Sequence, residues 1–288
     1  MRDHFVPRFH IRQFCNTNGR VFCFDKRSRS IPDRTFGNAP RDILYGNSLY
    51  TDQFGNLDEE LYKPIERTFA PHLVRLAKDP TSAAREAGFG RAIIDWIAAQ
   101  YSRTALLPDT VDDILRKLEP AALVDQTALA VLHNQKRIEE YEFMIKVMTA
   151  PRWKWRMWRS SGERRFVLGD HPVCNTYTNM DMGFMLFIPI TPTLMLCGGS
   201  QEGHEVVRQR EILRGINGLI ASWCTRFVYS ACLQELDSLV DMMRAQGDPE
   251  HDEWIRYAQH PHHGTALRIR ESDAPPGDHR HALLDEFL

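Results

Sequence analysis

GFMLFIPITPTLMLCGG, residues 183–199, is the longest apolar stretch of the chain and the one that decides its fold class. Its Ile, Thr and Phe residues favour strands, and Pro189 and Pro192 stand where a helix would have to continue. The stretch is also too short and too interrupted to cross a membrane as a helix. It is expected to form strand–turn segments. Just upstream, PRWKWRMWRS (151–160) alternates, with Trp153, Trp155 and Met157 on one face and Lys154, Arg156 and Trp158 on the other. RRFVLGDHPVCNTY (164–177) reads as a second strand–turn segment. Downstream, 205–226 is helical in character, FVYSA (227–231) is strand-like, and 234–244 is helical again.

The first half reads differently. Leu57, Leu61, Ile65, Phe69 and Leu73 recur every fourth residue and predict a helix over 57–78, with a kink or break near Pro64 and Pro71. Further helices are predicted over about 84–106, 110–118 and 121–149, the last ending at Pro151. GRVFCFDK (19–26) follows the turn signal at 16–19 and is apolar on both faces, so it predicts a buried strand that has to join the later sheet. The expectation is an α+β protein, with a predominantly helical first half packed on a mixed or antiparallel β-sheet from the second half and an N-terminal strand joining that sheet. No repeat or Gly/Ser/Pro linker divides the chain. One domain is expected over 1–258, with a helical subdomain over about 57–150 and a loosely ordered tail over 259–288.

Composition narrows the function. Against 38 Asp and Glu stand 36 Lys and Arg, for a formal net charge of −2, which argues against a surface coated for bulk nucleic-acid binding. Six cysteines include no C-x-x-C pair, and the start of the chain has no apolar signal region. The plain expectation is a cytoplasmic protein with reduced thiols and no membrane partner. Phosphate-loop, dinucleotide-turn and zinc-helix motifs are absent, and CGGSQEG (197–203) departs from a nucleophile elbow at Glu202. No metal or cofactor is expected. The histidines of HPHHG (260–264) lie in the polar tail, where a mobile segment is the plainer reading.

HFVPRFHIRQF, residues 4–14, mixes His4, Arg8, His10 and Arg12 with Phe5, Phe9, Ile11 and Phe14. Pro7 favours extended or turn geometry at Val6. In an extended arm Arg8, His10 and Arg12 share one face and Phe9 and Ile11 the other. This segment resembles the opening of the domain-of-unknown-function 4238 family, whose members begin His-x-x-Pro-(Arg/Gln)-aromatic-x-(Leu/Ile)-Arg-x-Phe. His4, Pro7, Arg8, Phe9, Ile11, Arg12 and Phe14 match in place. Family-like features follow in order: Phe24–Lys26, Tyr50, Glu60 and Glu66, Gln100 with Arg103, Asp170-His171-Pro172, Pro189–Pro192 and Asn217. The resemblance runs from about Asp3 to Ser230. It departs at His171, where a small polar residue is usual, and beyond Ala231. The family carries no established activity, so the resemblance supplies positions and no mechanism.

The candidate site residues each have two readings. Gln100 and Arg103 are helical neighbours at the edge of an apolar stripe. They would either meet a ligand, Arg103 forking onto a phosphate or carboxylate, or clamp neighbouring groups. Asp170 and His171 sit on a turn after a strand, open to a role as base or as an Asx-type turn. Lys154, Arg156, Trp158 and Arg159 would form either a nucleic-acid surface or an ordinary amphipathic strand. The expected site is one polar cleft in which His4, Asp170 and Gln100 are catalytic and Arg8, Arg12, Arg103, Glu66 and His171 bind substrate. Its cationic character suits an anionic, phosphate-bearing small molecule, a nucleotide, or nucleic acid, and a hydrolase or transferase reaction. The alternative is a non-catalytic module that binds a ligand, nucleic acid or protein through the same cleft.

Overall fold

The computed structural model describes residues 2–4, 6–26, 30–31, 37–40, 45–47, 51–52, 55–56, 58–103, 126–160, 164–176, 185–199, 210–224 and 227–246. From the N-terminus run β1 (Arg2–His4), the short helix α1 (Arg8–Ile11) with a 3-10 turn over Arg12–Phe14, and β2 (Phe22–Asp25). The short strands β3 (Tyr45–Asn47), β4 (Thr51–Asp52) and β5 (Gly55–Asn56) follow. A π-helical turn over Asp58–Tyr62 leads into α2 (Lys63–Lys78), α3 (Pro80–Ala84), α4 (Phe89–Ser102) and α5 (Gln126–Met148). The second half supplies β6 (Lys154–Arg159), β7 (Leu168–Gly169), β8 (Cys174–Thr176), β9 (Met185–Thr191) and β10 (Leu194–Gly199). It closes with α6 (Arg210–Trp223), β11 (Phe227–Ser230) and α7 (Leu233–Gln246).

The protein is α+β, and its central sheet is antiparallel in the order β6-β10-β9-β8. Every residue of β9 and β10 is buried, because the sheet is covered on both faces. Side chains one apart point to opposite faces. Leu186, Ile188, Ile190, Leu194 and Leu196 pack with Phe69, Leu73, Ile93, Trp96, Ile97, Met144 and Met148 of α2, α4 and α5. Met185, Phe187, Met195 and Cys197 pack with Leu213, Ile216 and Ile220 of α6 and with Val228 and Leu236. Gly198 is a packing requirement on the helical face: a Cβ there would lie 2.6 Å from Trp155 and 2.7 Å from Trp153.

A second antiparallel sheet, β2-β11-β7, brings in the N-terminal strand expected from GRVFCFDK. Lys26, at the end of that strand, donates Nζ to the Ala221 and Cys224 carbonyls at 2.9 and 2.7 Å and so satisfies groups at the C-terminal end of α6. Asn217 of α6 receives the Val167 N–H on Oδ1 and donates Nδ2 to the Arg165 carbonyl, at 3.2 and 2.8 Å. Among the described residues no helix is long and apolar enough to cross a membrane.

Three local expectations are corrected. The segment after Pro7 is a helical turn rather than an extended arm. Proline restricts the residue before it, and the residues after it are free to turn; the Pro7 carbonyl accepts from His10 N and Ile11 N at 2.9 and 3.1 Å. Its buried anchors are therefore Val6, His10, Ile11 and Phe14, while Phe9 is half-buried and Arg8 and Arg12 are exposed. The helix placed over 84–106 starts later, because Asp79 caps α3 through Ser82 N at 3.2 Å and Gly88, at φ +79°, turns the chain into α4. Trp158 is buried edge-on against Phe166 at 5.2 Å, so it offers no stacking face to a nucleic acid. Tyr50, the helix expected at 110–118 and the 259–288 tail lie outside the described residues.

Candidate functional site

Helix α4 carries its polar end between α2 and α5. Its residues Ile93, Ile94, Trp96 and Ile97 face the core, and the periodicity turns Gln100 into the protein at 0% exposure. Among the described residues neither Oε1 nor Nε2 of Gln100 has a hydrogen-bond partner. A buried amide left so costs about 1–3 kcal/mol per unmet group. One turn on, Arg103 is 2% exposed and ion-pairs through Nη1 with Glu66 of α2. Its guanidinium carbon lies 4.4 Å from the centre of the Tyr62 ring, where the π face favours a cation. Tyr62 closes the π-helical turn, and its hydroxyl is 3.3 Å from Ser102 Oγ.

Two more polar groups border this cluster. On α5, Arg137 donates Nη1 to Asn134 Oδ1 at 3.0 Å, both side chains buried; the next residue, Ile138, packs with Tyr62 and Ala99. On β8, Asn175 donates Nδ2 to the Tyr101 hydroxyl at 3.0 Å, while its Oδ1 has no partner among the described residues. The sequence reading singled out Glu66, Gln100 and Arg103 and missed Tyr62, Asn134, Arg137 and Asn175. The signal for Asn134 and Arg137 was their three-residue spacing within the long helix, on the face that carries Ile138 and Tyr141.

The other candidates have surroundings of their own. Arg8 and Arg12, exposed and four residues apart, line a surface cavity of about 510 Å³ with Cys15, Gly19, Ala39 and Pro40. Burial pushes the Cys15 thiol up, and the Arg12 charge works against that. Asp170 is bound to β11: its N–H donates to the Phe227 carbonyl at 3.0 Å and its Oδ2 accepts the Phe227 N–H at 2.9 Å. His171 is wholly buried, and its carbonyl accepts from Cys174 Sγ at 3.6 Å. Burial raises the Cys174 and Cys224 thiols, with the Asp170 charge adding to the effect. His4 lies in β1 opposite Tyr45, and its side chain is outside the described residues. Among the described residues no group of three or more His, Cys, Asp or Glu is placed to hold a metal ion.

The chain matches the family model described as "Protein of unknown function (DUF4238)" over residues 2–232. No curated protein and no solved structure matches it.

Proposed function

We propose, for a chain that belongs to the DUF4238 family of proteins of unknown function, that the polar cluster between α2, α4 and α5 binds an anionic, phosphate-bearing ligand and supports hydrolysis or group transfer on it. The observation that carries this reading is Gln100. Its amide sets a donor and an acceptor side by side in a fully buried position, with neither met among the described residues. Such an amide complements a ligand edge that offers an acceptor beside a donor. Arg103 supplies the positive charge one turn away, and Glu66 and Tyr62 fix its guanidinium plane. In this reading Gln100 orients the ligand and Arg103 holds the anion, while His4 supplies acid or base chemistry.

Asp170 favours a second reading, a binding module without catalysis. Its carboxylate accepts the Phe227 N–H while its own N–H donates to the Phe227 carbonyl, a pairing that suits an acid holding two strand ends together.

The test is a thermal-shift panel of nucleotides and short RNAs on the wild type and on Gln100→Met. Methionine nearly preserves the volume and removes both unmet polar atoms. It is expected to raise the melting temperature of the free protein by about 2–4 °C and to reduce the shift produced by ligand. A variant that melts lower and responds to ligand as fully as the wild type overturns the assignment. Chromatography of the responding ligand after incubation separates turnover from retention.

A further inference from the structure

We propose that the cavity lined by Arg8, Arg12, Cys15, Gly19, Ala39 and Pro40 is a second ligand site, for a small molecule that joins a phosphate group to an uncharged body. It stands apart from the Gln100 reading: Glu66, Gln100 and Arg103 are not among the residues that line it.

The geometry starts from Pro7. Because the chain turns helical there, Arg8 and Arg12 come four residues apart onto one face, and both are exposed. Burial of Ile11 and Phe14 holds the turn against the core, so the two cations stand on a fixed base. Among the described residues neither guanidinium meets a carboxylate. Two like charges facing one concavity repel each other, and an anion seated between them removes that repulsion and gains both attractions. A guanidinium fork presents paired N–H donors that match the oxygens of a phosphate.

The rest of the wall argues the nature of the ligand. Cys15, Gly19, Ala39 and Pro40 bring no charge, and a side chain built at Gly19 would meet nothing within 4 Å. About 510 Å³ exceeds what a free phosphate needs and falls within the range of small-molecule sites, roughly 300–1,000 Å³. An uncharged body therefore has room beside the phosphate, against Ala39 and Pro40. A polyanionic strand would instead need cations beyond these two to track its backbone.

The experiment is calorimetric titration of the full chain with inorganic phosphate, pyrophosphate, ADP and a short single-stranded RNA. Gln100→Met serves as the background, which removes binding at the polar cluster, and Arg8→Gln/Arg12→Gln and Arg12→Lys are compared within it. ADP is expected to bind at least about tenfold more tightly than inorganic phosphate. Within that background the arginine double variant is expected to lose about tenfold or more in ADP affinity, and Arg12→Lys an intermediate amount. Both arginines are exposed, so the double variant is expected to melt within about 1 °C of its background, and a fold check by circular dichroism accompanies it. ADP binding that survives the double variant overturns the site. ADP binding absent from the Gln100→Met background overturns its independence. RNA that binds through these arginines while ADP does not overturns the small-molecule ligand.

Discussion

His10 shows how one side chain ties the N-terminal turn to the sheet. Its Nε2 lies 2.7 Å from the Pro189 carbonyl, on the stretch of β9 beyond the part that pairs with β8. Proline cannot donate there, but its carbonyl still needs a partner, and the imidazole N–H supplies one. The ring also packs edge-on against Trp96 and Phe14 at 5.1 and 5.8 Å. Burial lowers its pKa from 6.5 to about 4, outweighing the carbonyl, which raises it. The folded state therefore takes up the proton less readily than the unfolded state. Above about pH 6.5 both states are neutral and His10 adds no pH dependence; as pH falls toward about 4 the unfolded state gains the proton first and stability is lost. The loss approaches about 3 kcal/mol at the acid end of that window. Urea unfolding of wild type and His10→Gln at about pH 7 and about pH 4.5 isolates it from carboxylate titration. The wild type is expected to lose about 2 kcal/mol more than the variant. Equal losses would show that His10 does not carry the effect.

At the scale of elements, the α2–α4 contact rests on the Glu66–Arg103 pair as well as on apolar packing. Arg103 is nearly inaccessible and Glu66 is 20% exposed, so removing the acid leaves a buried cation behind. Glu66→Leu and Arg103→Met are each expected to cost about 3 kcal/mol, and the double variant substantially less than the sum. A double-mutant cycle by denaturant unfolding reads this; additive losses would mean that the two side chains do not depend on each other. The same pair marks what the sequence could and could not show. The stripe from Leu57 to Leu73 and the alternation of Trp153, Trp155 and Met157 are properties of one element, and they forecast α2 and β6 directly. The partners Glu66 and Arg103 stand 37 residues apart, and Asp170 and Phe227 57 apart, so no local period joins them. The helical turn at Arg8–Ile11 was hidden for another reason. Pro7 constrains Val6 alone, and nothing in the residues after it marks a turn too short to show a helical period.

For the whole molecule, β9 and β10 belong to two cores at once. Leu196 faces the helices and Met195, its neighbour, faces α6 and the second sheet. A helical layer that unfolded alone would strip one face of a sheet whose residues are buried on both, exposing Leu186, Ile188 and Ile190 together. That exposure of apolar surface couples the layers more strongly than any single hydrogen bond between them. Leu196→Ala and Met195→Ala are each expected to cost about 2–5 kcal/mol. Although they cut into opposite cores, each is expected to shift one common transition. Far-ultraviolet circular dichroism follows the helices, and tryptophan fluorescence follows all six tryptophans, among them Trp96, Trp153 and Trp155 in one core and Trp158 and Trp223 in the other. Coincident midpoints in both variants are the expected result. If Leu196→Ala instead splits the helical signal from the fluorescence, the helical layer is an independent folding unit, and the sheet holds its shape through α6 and β11 alone.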